Sequence, residues 1–257
     1  SRHLGLSLDE DFCFEEFADR VAELVEKYVD IDRLLELTKQ VAPAALPMSV
    51  SHRTYRREPS FTVAIARDPA FNFMYEANIR YLHHLGEVTY FSPLADTSLP
   101  DAGFVYLPGG YPELYLAALS ANRPMLQSIR RYVENGGKLL AECGGMMYLC
   151  DEIRDKNGDV YPMAGVLHQS ATMENMKLRL GYRTLLYNDA RLKGHEFHYS
   201  RLVEQQDPLP SCAVAYTAKG VETDTPLYHY KNVWAGYTHL YWADPAGNDW
   251  FTKFIIK

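Results

Sequence analysis

Lys138-Leu139-Leu140-Ala141-Glu142-Cys143-Gly144-Gly145-Met146-Met147 is the stretch on which the fold turns. An apolar strand pattern runs straight into a cysteine, two glycines follow, and Met146, Met147, Tyr148 and Leu149 continue as a helix. A residue at such a strand-to-helix turn has its side chain lifted above the sheet edge, and the glycines let neighbouring backbone pass close to it. The helix start favours thiolate over thiol, and it leaves the Gly144 N–H facing a developing oxyanion. On this pattern Cys143 is an exposed, ionisable nucleophile. The alternative is a buried apolar cysteine.

Outward from this turn the same rhythm repeats. Residues 61–66 form a short apolar run of the kind buried on both faces of a parallel sheet. Residues 72–85 carry Phe73, Ala77, Tyr81 and Leu85 at intervals of four, a helix closed by Gly86. Residues 88–91 and 104–107 read as strands, and a helix through Leu126, Ile129, Arg130 and Val133 leads to Gly136-Gly137. Strands separated by helices at this spacing predict an α/β protein: an open, mostly parallel sheet with helices on both faces. After Gly181 the text is richer in strand, over 182–187, 196–202, 213–217 and 233–241, before a helical 248–256.

The first 48 residues differ. Phe12, Phe14, Phe17, Val21, Leu24 and Val25 recur at helical spacing, and 30–40 reads as a second helix with Asp30 or Asp32 as its N-cap. Residues 1–48 are therefore expected to be a helical appendage, 49–59 a linker, and 60–257 the main domain. Across all 257 residues, 26 Lys+Arg against 33 Asp+Glu give a net charge of −7, which argues against nucleic acid as a partner. No apolar run approaches the length of a membrane span, and the four cysteines, Cys13, Cys143, Cys150 and Cys212, lack disulfide or zinc spacing. The expectation is a soluble cytoplasmic protein with reduced thiols and no membrane partner.

A second segment adds to the Cys143 turn. Leu107-Pro108-Gly109-Gly110-Tyr111-Pro112-Glu113 again puts a glycine pair at the carboxyl end of a strand, where open α/β sheets place ligands. Backbone amides around Gly109 and Gly110 could supply an oxyanion donor and a pocket wall. A thiol nucleophile needs a base, and nine histidines are available. His83 and His84 sit at a helix end and read as solvated. His195 and His198 flank Glu196 in a strand and face opposite sides; no metal site is expected there. His239 ends the last apolar strand, and spacing alone does not choose between it and His195 or His198.

These segments together resemble a class I glutamine amidotransferase domain of the cobyrinate a,c-diamide synthase family and its cobyric acid synthase relatives. The resemblance covers about 60–257 through LPGGYPE at 107–113, AECGGMMYL at 141–149, GHEFHYSR at 194–201 and GYTHLYW at 236–242. Residues 1–45 resemble the tail of that family's N-terminal ATP-dependent domain. The resemblance implies a flavodoxin-like fold, Cys143 as nucleophile, His239 as its histidine, and oxyanion contacts at the backbone of Gly110 and Gly144. It also implies glutamine as ammonia donor, and a role in cobalamin biosynthesis. Cobyrinic or hydrogenobyrinic acid would be amidated at carboxylates a and c by the synthetase domain.

ATP and magnesium would belong to that N-terminal domain, since the chain shows no G-x-x-x-x-G-K-[ST] phosphate loop and no cofactor of its own is implied. Where the wider class carries a glutamate two residues after the histidine, this chain has Tyr241, and a backbone carbonyl is expected to orient His239 instead. His195, His198, Tyr199 and Arg201 are candidate corrin-side contacts, weighed against the simpler expectation of polar groups on an exposed strand. Two alternatives remain at this stage. One is a stand-alone cysteine hydrolase or stress protein of the DJ-1/PfpI type, using Glu113 or Glu142 beside the sulfur. The other is a non-catalytic corrinoid-binding module in which His195, Glu196, His198, Tyr199 and Arg201 form the surface and Cys143 is idle.

Overall fold

The computed structural model describes residues 13–39, 61–204, 206 and 208–256. The chain divides into two compact units, Ser1–Thr54 and Tyr55–Lys257. Within the first lie α1 (Phe14–Tyr28) and α2 (Ile31–Lys39). Asp30 is the N-cap of α2, its Oδ1 accepting from the Arg33 N–H at 2.9 Å. The apolar stripe of α1 is exposed along its length, and neither helix has a buried residue. The start of the expected appendage and the whole 49–59 linker lie outside the described residues.

The second unit runs β1 (Thr62–Ala66), α3 (Glu76–Leu85), β2 (Glu87–Phe91), β3 (Phe104–Leu107), α4 (Leu116–Ala121), α5 (Arg123–Glu134), β4 (Lys138–Glu142) and α6 (Gly144–Leu149). Short strands β5 (Glu152–Arg154), β6 (Val160–Pro162) and β7 (Ser170–Thr172) precede the long hairpin β8 (Arg179–Tyr187) and β9 (Ala190–His198). Then come β10 (Arg201–Leu202), β11 (Val214–Thr217), β12 (Glu222–Thr223), β13 (Leu227–Tyr230), β14 (Val233–Gly236) and β15 (His239–Tyr241). Helix α7 (Pro245–Trp250) continues into π-helical turns at Phe251–Ile256.

The main sheet has the order β13-β14-β4-β3-β1-β2, with β2, β1, β3, β4 and β14 parallel and β13 antiparallel at the edge. Val63, Ile65, Phe104, Tyr106 and Leu140 pack on one face with Ile79 and Leu82 of α3 and with Trp250. Ala64, Val105, Leu139 and Ala141 pack on the other with residues of α4, α5 and α6. Helices thus cover both faces, as a parallel sheet requires. Strand order from β2 through β14 is that of a doubly wound, flavodoxin-like sheet, in which ligands bind beyond the carboxyl ends of the strands.

Two departures from the sequence pattern shape the site. Helix α3 begins at Glu76, not at 72, so Phe73 and Tyr75 lie on non-helical chain; the Phe73 N–H donates to the Gly109 carbonyl at 3.0 Å. The apolar run at 233–241 is two strands in two sheets: β14 pairs with β4, whereas β15 pairs with β9. The change occurs at Tyr237-Thr238, where β4 also ends and the Cys143 N–H donates to the Gly236 carbonyl at 2.8 Å.

Candidate active site

Cys143 has φ 48° and ψ −108°, a left-handed backbone that a non-glycine residue adopts at a cost of about 1–3 kcal/mol. Tight packing holds it there. A Cβ at Gly144 would stand 2.7 Å from Pro112 Cδ, and one at Gly145 would stand 2.2 Å from the Leu107 carbonyl oxygen. Only glycines let α6 start this close to the end of β3, and the Gly144 N–H hydrogen-bonds to the cysteine sulfur. The thiol is not exposed, however: Cys143 is 5% accessible. Burial, then the nearby Glu113 carboxylate, raises its pKa well above the ordinary thiol value, against the Gly144 N–H. The expected thiolate therefore gives way to a protonated sulfur. A helix of six residues offers too small a dipole to offset that burial.

His239 arrives on β15 from the neighbouring side. It is 4% accessible, and burial, with His195 and His198 adding to it, lowers its pKa to about 3. At pH 7 the imidazole is therefore neutral and able to accept a proton. A Cβ at Gly109 would lie 2.1 Å from His239 Cε1, so the imidazole rests directly on the glycine loop. Gly110 is pressed against Ala70 on its other side, and the Tyr111 N–H donates to the Ala70 carbonyl at 2.9 Å. Cys143, the Gly109-Gly110 loop and His239 thus share the carboxyl edge of β3, β4 and β14. Among the described residues, no carbonyl or carboxylate reaches His239 Nδ1, which is buried without a hydrogen-bond partner. Ring contacts hold it instead: Phe73 lies edge-on at 4.6 Å and His195 is stacked at 4.9 Å.

Glu142 was a candidate base for the sulfur, but its carboxyl turns inward. Oε2 accepts from the Tyr106 hydroxyl at 2.7 Å and Oε1 from the Leu240 N–H at 3.1 Å. Burial raises its pKa to about 8, against those two hydrogen bonds. Its geometry ties the end of the Cys143 strand to the residue after His239.

The GHEFHYSR segment is not an exposed polar strand. Glu196 and His198 are buried, and Arg183 lies 2.9 Å from the Glu196 carboxylate. Their face of β9 borders a cavity of about 310 Å³ lined by Glu196, His198, Tyr237, Arg179, Arg201 and Asp224. His198 stacks on Tyr237 at 3.8 Å, and its Nδ1 donates to the Ser200 carbonyl at 2.9 Å. Its buried Nε2 has no partner among the described residues and, in the neutral ring, carries the lone pair. His195 is on the opposite face with His239, and Tyr199 packs half-buried against the core. The five residues of the corrinoid-module alternative therefore do not form one surface. Among the described residues, no group of three His, Cys, Asp or Glu is placed to hold a metal. No described helix is long and apolar enough to cross a membrane, and all four cysteines are free thiols.

Residues 62–247 match the model of the CobB/CobQ-like glutamine amidotransferase domain. The chain belongs to this family. A cobyrinate a,c-diamide synthase of Dehalococcoides mccartyi is 37% identical over 94% of this chain and 55% of its own length. A hydrogenobyrinate a,c-diamide synthase of Pseudomonas aeruginosa is 36% identical over 94% of this chain and 54% of its own. A Clostridium acetobutylicum cobyrinate a,c-diamide synthase is 34% identical over 100% of this chain and 58% of its own. The amidotransferase chain thus spans a little over half the length of these relatives. A crystal structure of a glutamine amidotransferase shares the fold, with TM-score 0.50 at 16% identity, covering 76% of this chain and 99% of that one. With a CobB/CobQ-like amidotransferase domain established, the stand-alone stress-protein alternative is set aside.

Sequence reasoning missed Phe73, Tyr75, Tyr106 and Tyr237. Each acts through a contact made across the fold; Tyr237 stands in the GYTHLYW stretch, whereas the other three lie outside the motif segments.

Proposed function

We propose that this chain is the glutamine-hydrolysing part of a cobyrinate or hydrogenobyrinate a,c-diamide synthase, delivering ammonia for amidation of corrin carboxylates a and c. The observation that carries the reading is the strained Cys143 turn meeting the Gly109-Gly110 loop and His239 at one sheet edge. Thiol and imidazole are both neutral at rest. As sulfur attacks the side-chain amide carbon of glutamine, its proton passes to His239. The developing oxyanion is received by the backbone N–H groups of Gly144 and Gly110. His239 then protonates the departing nitrogen, ammonia leaves, and a γ-glutamyl thioester remains. Water deprotonated by the same imidazole releases glutamate and restores the thiol.

The cavity on the other face of β9 suits the amino-acid head of glutamine. The His198 Nε2 lone pair and the Glu196 carboxylate can accept from the ammonium group, and Arg201 at the rim can meet the carboxylate. This assigns His198 and Arg201 to glutamine rather than to the corrin. In the longer relatives' layout, the remaining length would bind ATP and magnesium and activate the corrin carboxylate, with the cytoplasm as the setting.

Timed glutamate release from glutamine tests the reading. Cys143→Ala is expected to abolish release with an unchanged circular dichroism spectrum, and a diazoketone analogue of glutamine is expected to label Cys143 alone. The absence of both release and labelling in the native chain would refute it.

A further inference from the structure

Tyr241 occupies the position at which a carboxylate would orient the histidine, and His239 Nδ1 has no hydrogen-bond partner among the described residues. Something else must fix the plane of that ring, because a 1 Å error at a reacting group can cost about 100-fold in rate. The register of β15 on β9 places His195 directly opposite His239, and the two rings lie 4.9 Å apart at 19°. His195 is itself held: its Nδ1 and the Tyr75 hydroxyl are hydrogen-bonded at 2.5 Å. Tyr75 in turn stands edge-on to Tyr241 at 5.4 Å and 89°. Phe73 closes the cage, edge-on to both histidines, 5.4 Å from His195 and 4.6 Å from His239.

We propose that His195, anchored by Tyr75, is the positioning residue of His239, doing by ring stacking what a carboxylate does elsewhere by hydrogen bonding. The inference rests on the Cys143–His239 glutaminase reading and extends it. Tyr75 and Phe73 are the parts of the device that reach His195 from outside β9 and β15. Burial keeps His239 neutral and ready to take the thiol proton, and the stacked His195 adds to this because two imidazolium rings this close repel. The ionisable groups around it are His195 and His198 on β9, Glu196 beside Thr238, Glu142 at the Leu240 N–H, and, behind His195, Tyr75 and Tyr241. Burial pushes Tyr75 up to about 12, so it remains a hydroxyl throughout the working range.

The test compares His195→Ala, His195→Phe and Tyr75→Phe in the full chain by kcat and KM for glutamine, and by nitrogen-15 NMR titration of His239. His195→Ala is expected to lower kcat about 30- to 100-fold with KM within threefold, as a misplaced base would. In the same variant the His239 titration should move up by at least one pH unit. His195→Phe keeps a flat ring in place and should recover at least tenfold of the lost kcat, and Tyr75→Phe should lie between. An unmoved His239 titration with unchanged kcat in His195→Ala overturns the proposal, as does a His195→Phe no better than the alanine variant. If the native chain releases no glutamate at all, the glutaminase reading fails. The NMR titration, with the pH dependence of Cys143 alkylation by iodoacetamide, then still decides whether His195 governs His239.

Discussion

Gly109→Ala isolates the packing that places the histidine. The added Cβ would lie 2.1 Å from His239 Cε1 and 2.8 Å from Nδ1, whereas ordinary contact begins at 3.4 Å. The ring must therefore retreat by about 1.3 Å, the difference between 3.4 and 2.1 Å, or the loop must shift with it. Retreat is opposed by Phe73 at its edge and His195 on its face. A displacement of this size at a catalytic group costs about 100-fold in rate, and overpacking a buried site costs about 1–3 kcal/mol of stability. The expected variant is folded, about 100-fold slower in kcat, and near the native KM. Initial rates of glutamate release and urea unfolding measure both quantities. Gly103→Ala is the control, since its Cβ would meet nothing nearer than the Thr62 carbonyl oxygen at 3.6 Å, and should change neither quantity. A Gly109→Ala enzyme within threefold of the native kcat refutes the placement of His239 on this loop.

Other outcomes follow from the buried ionisable groups. Glu142 has a pKa of about 8 in the fold against an ordinary 4.5, so the folded state holds an extra proton between those values. Its contribution makes stability fall as pH rises through that window and level off above it, and Glu142→Gln should remove the slope from urea melts. Tyr106→Phe deprives the same carboxyl of a donor and should cost about 1–3 kcal/mol. His239 has the opposite sign: the unfolded chain takes a proton below an ordinary 6.5 that the folded ring refuses until about 3. Stability should drop as pH falls across that range, and His239→Phe should flatten the drop relative to the native protein. Arg201→Ala, if the rim arginine meets the glutamine carboxylate, should raise KM about tenfold, or about 1.4 kcal/mol, with little change in kcat.

The parallel sheet was legible because its code is local. Short apolar runs at 61–66, 104–107 and 138–142, spaced by amphipathic stretches, admit little besides strands buried between helices. The Cys143 turn was legible for the same reason, since a strand, a cysteine and two glycines specify one bend. The helix boundary at Glu76 was not, because Phe73 continues the i, i+4 apolar pattern while its backbone is bonded to Gly109. Nor was the break at Tyr237-Thr238: 233–241 is apolar enough for one strand, and only the rival pairings offered by β4 and β9 divide it.

From the order of residues alone came the α/β layering, the cysteine on its elbow, the glycine loop beside it and the family resemblance, all properties of short contiguous stretches. Tertiary structure alone decided that the sulfur is buried and protonated, that Glu196 and His198 border a cavity, and that His239 is held by rings instead of a carboxylate. The reason is physical. Burial and stacking depend on neighbours far away in the chain: 120 residues separate Tyr75 from His195 and 98 separate Glu142 from Leu240, and no local pattern records which distant partner will arrive.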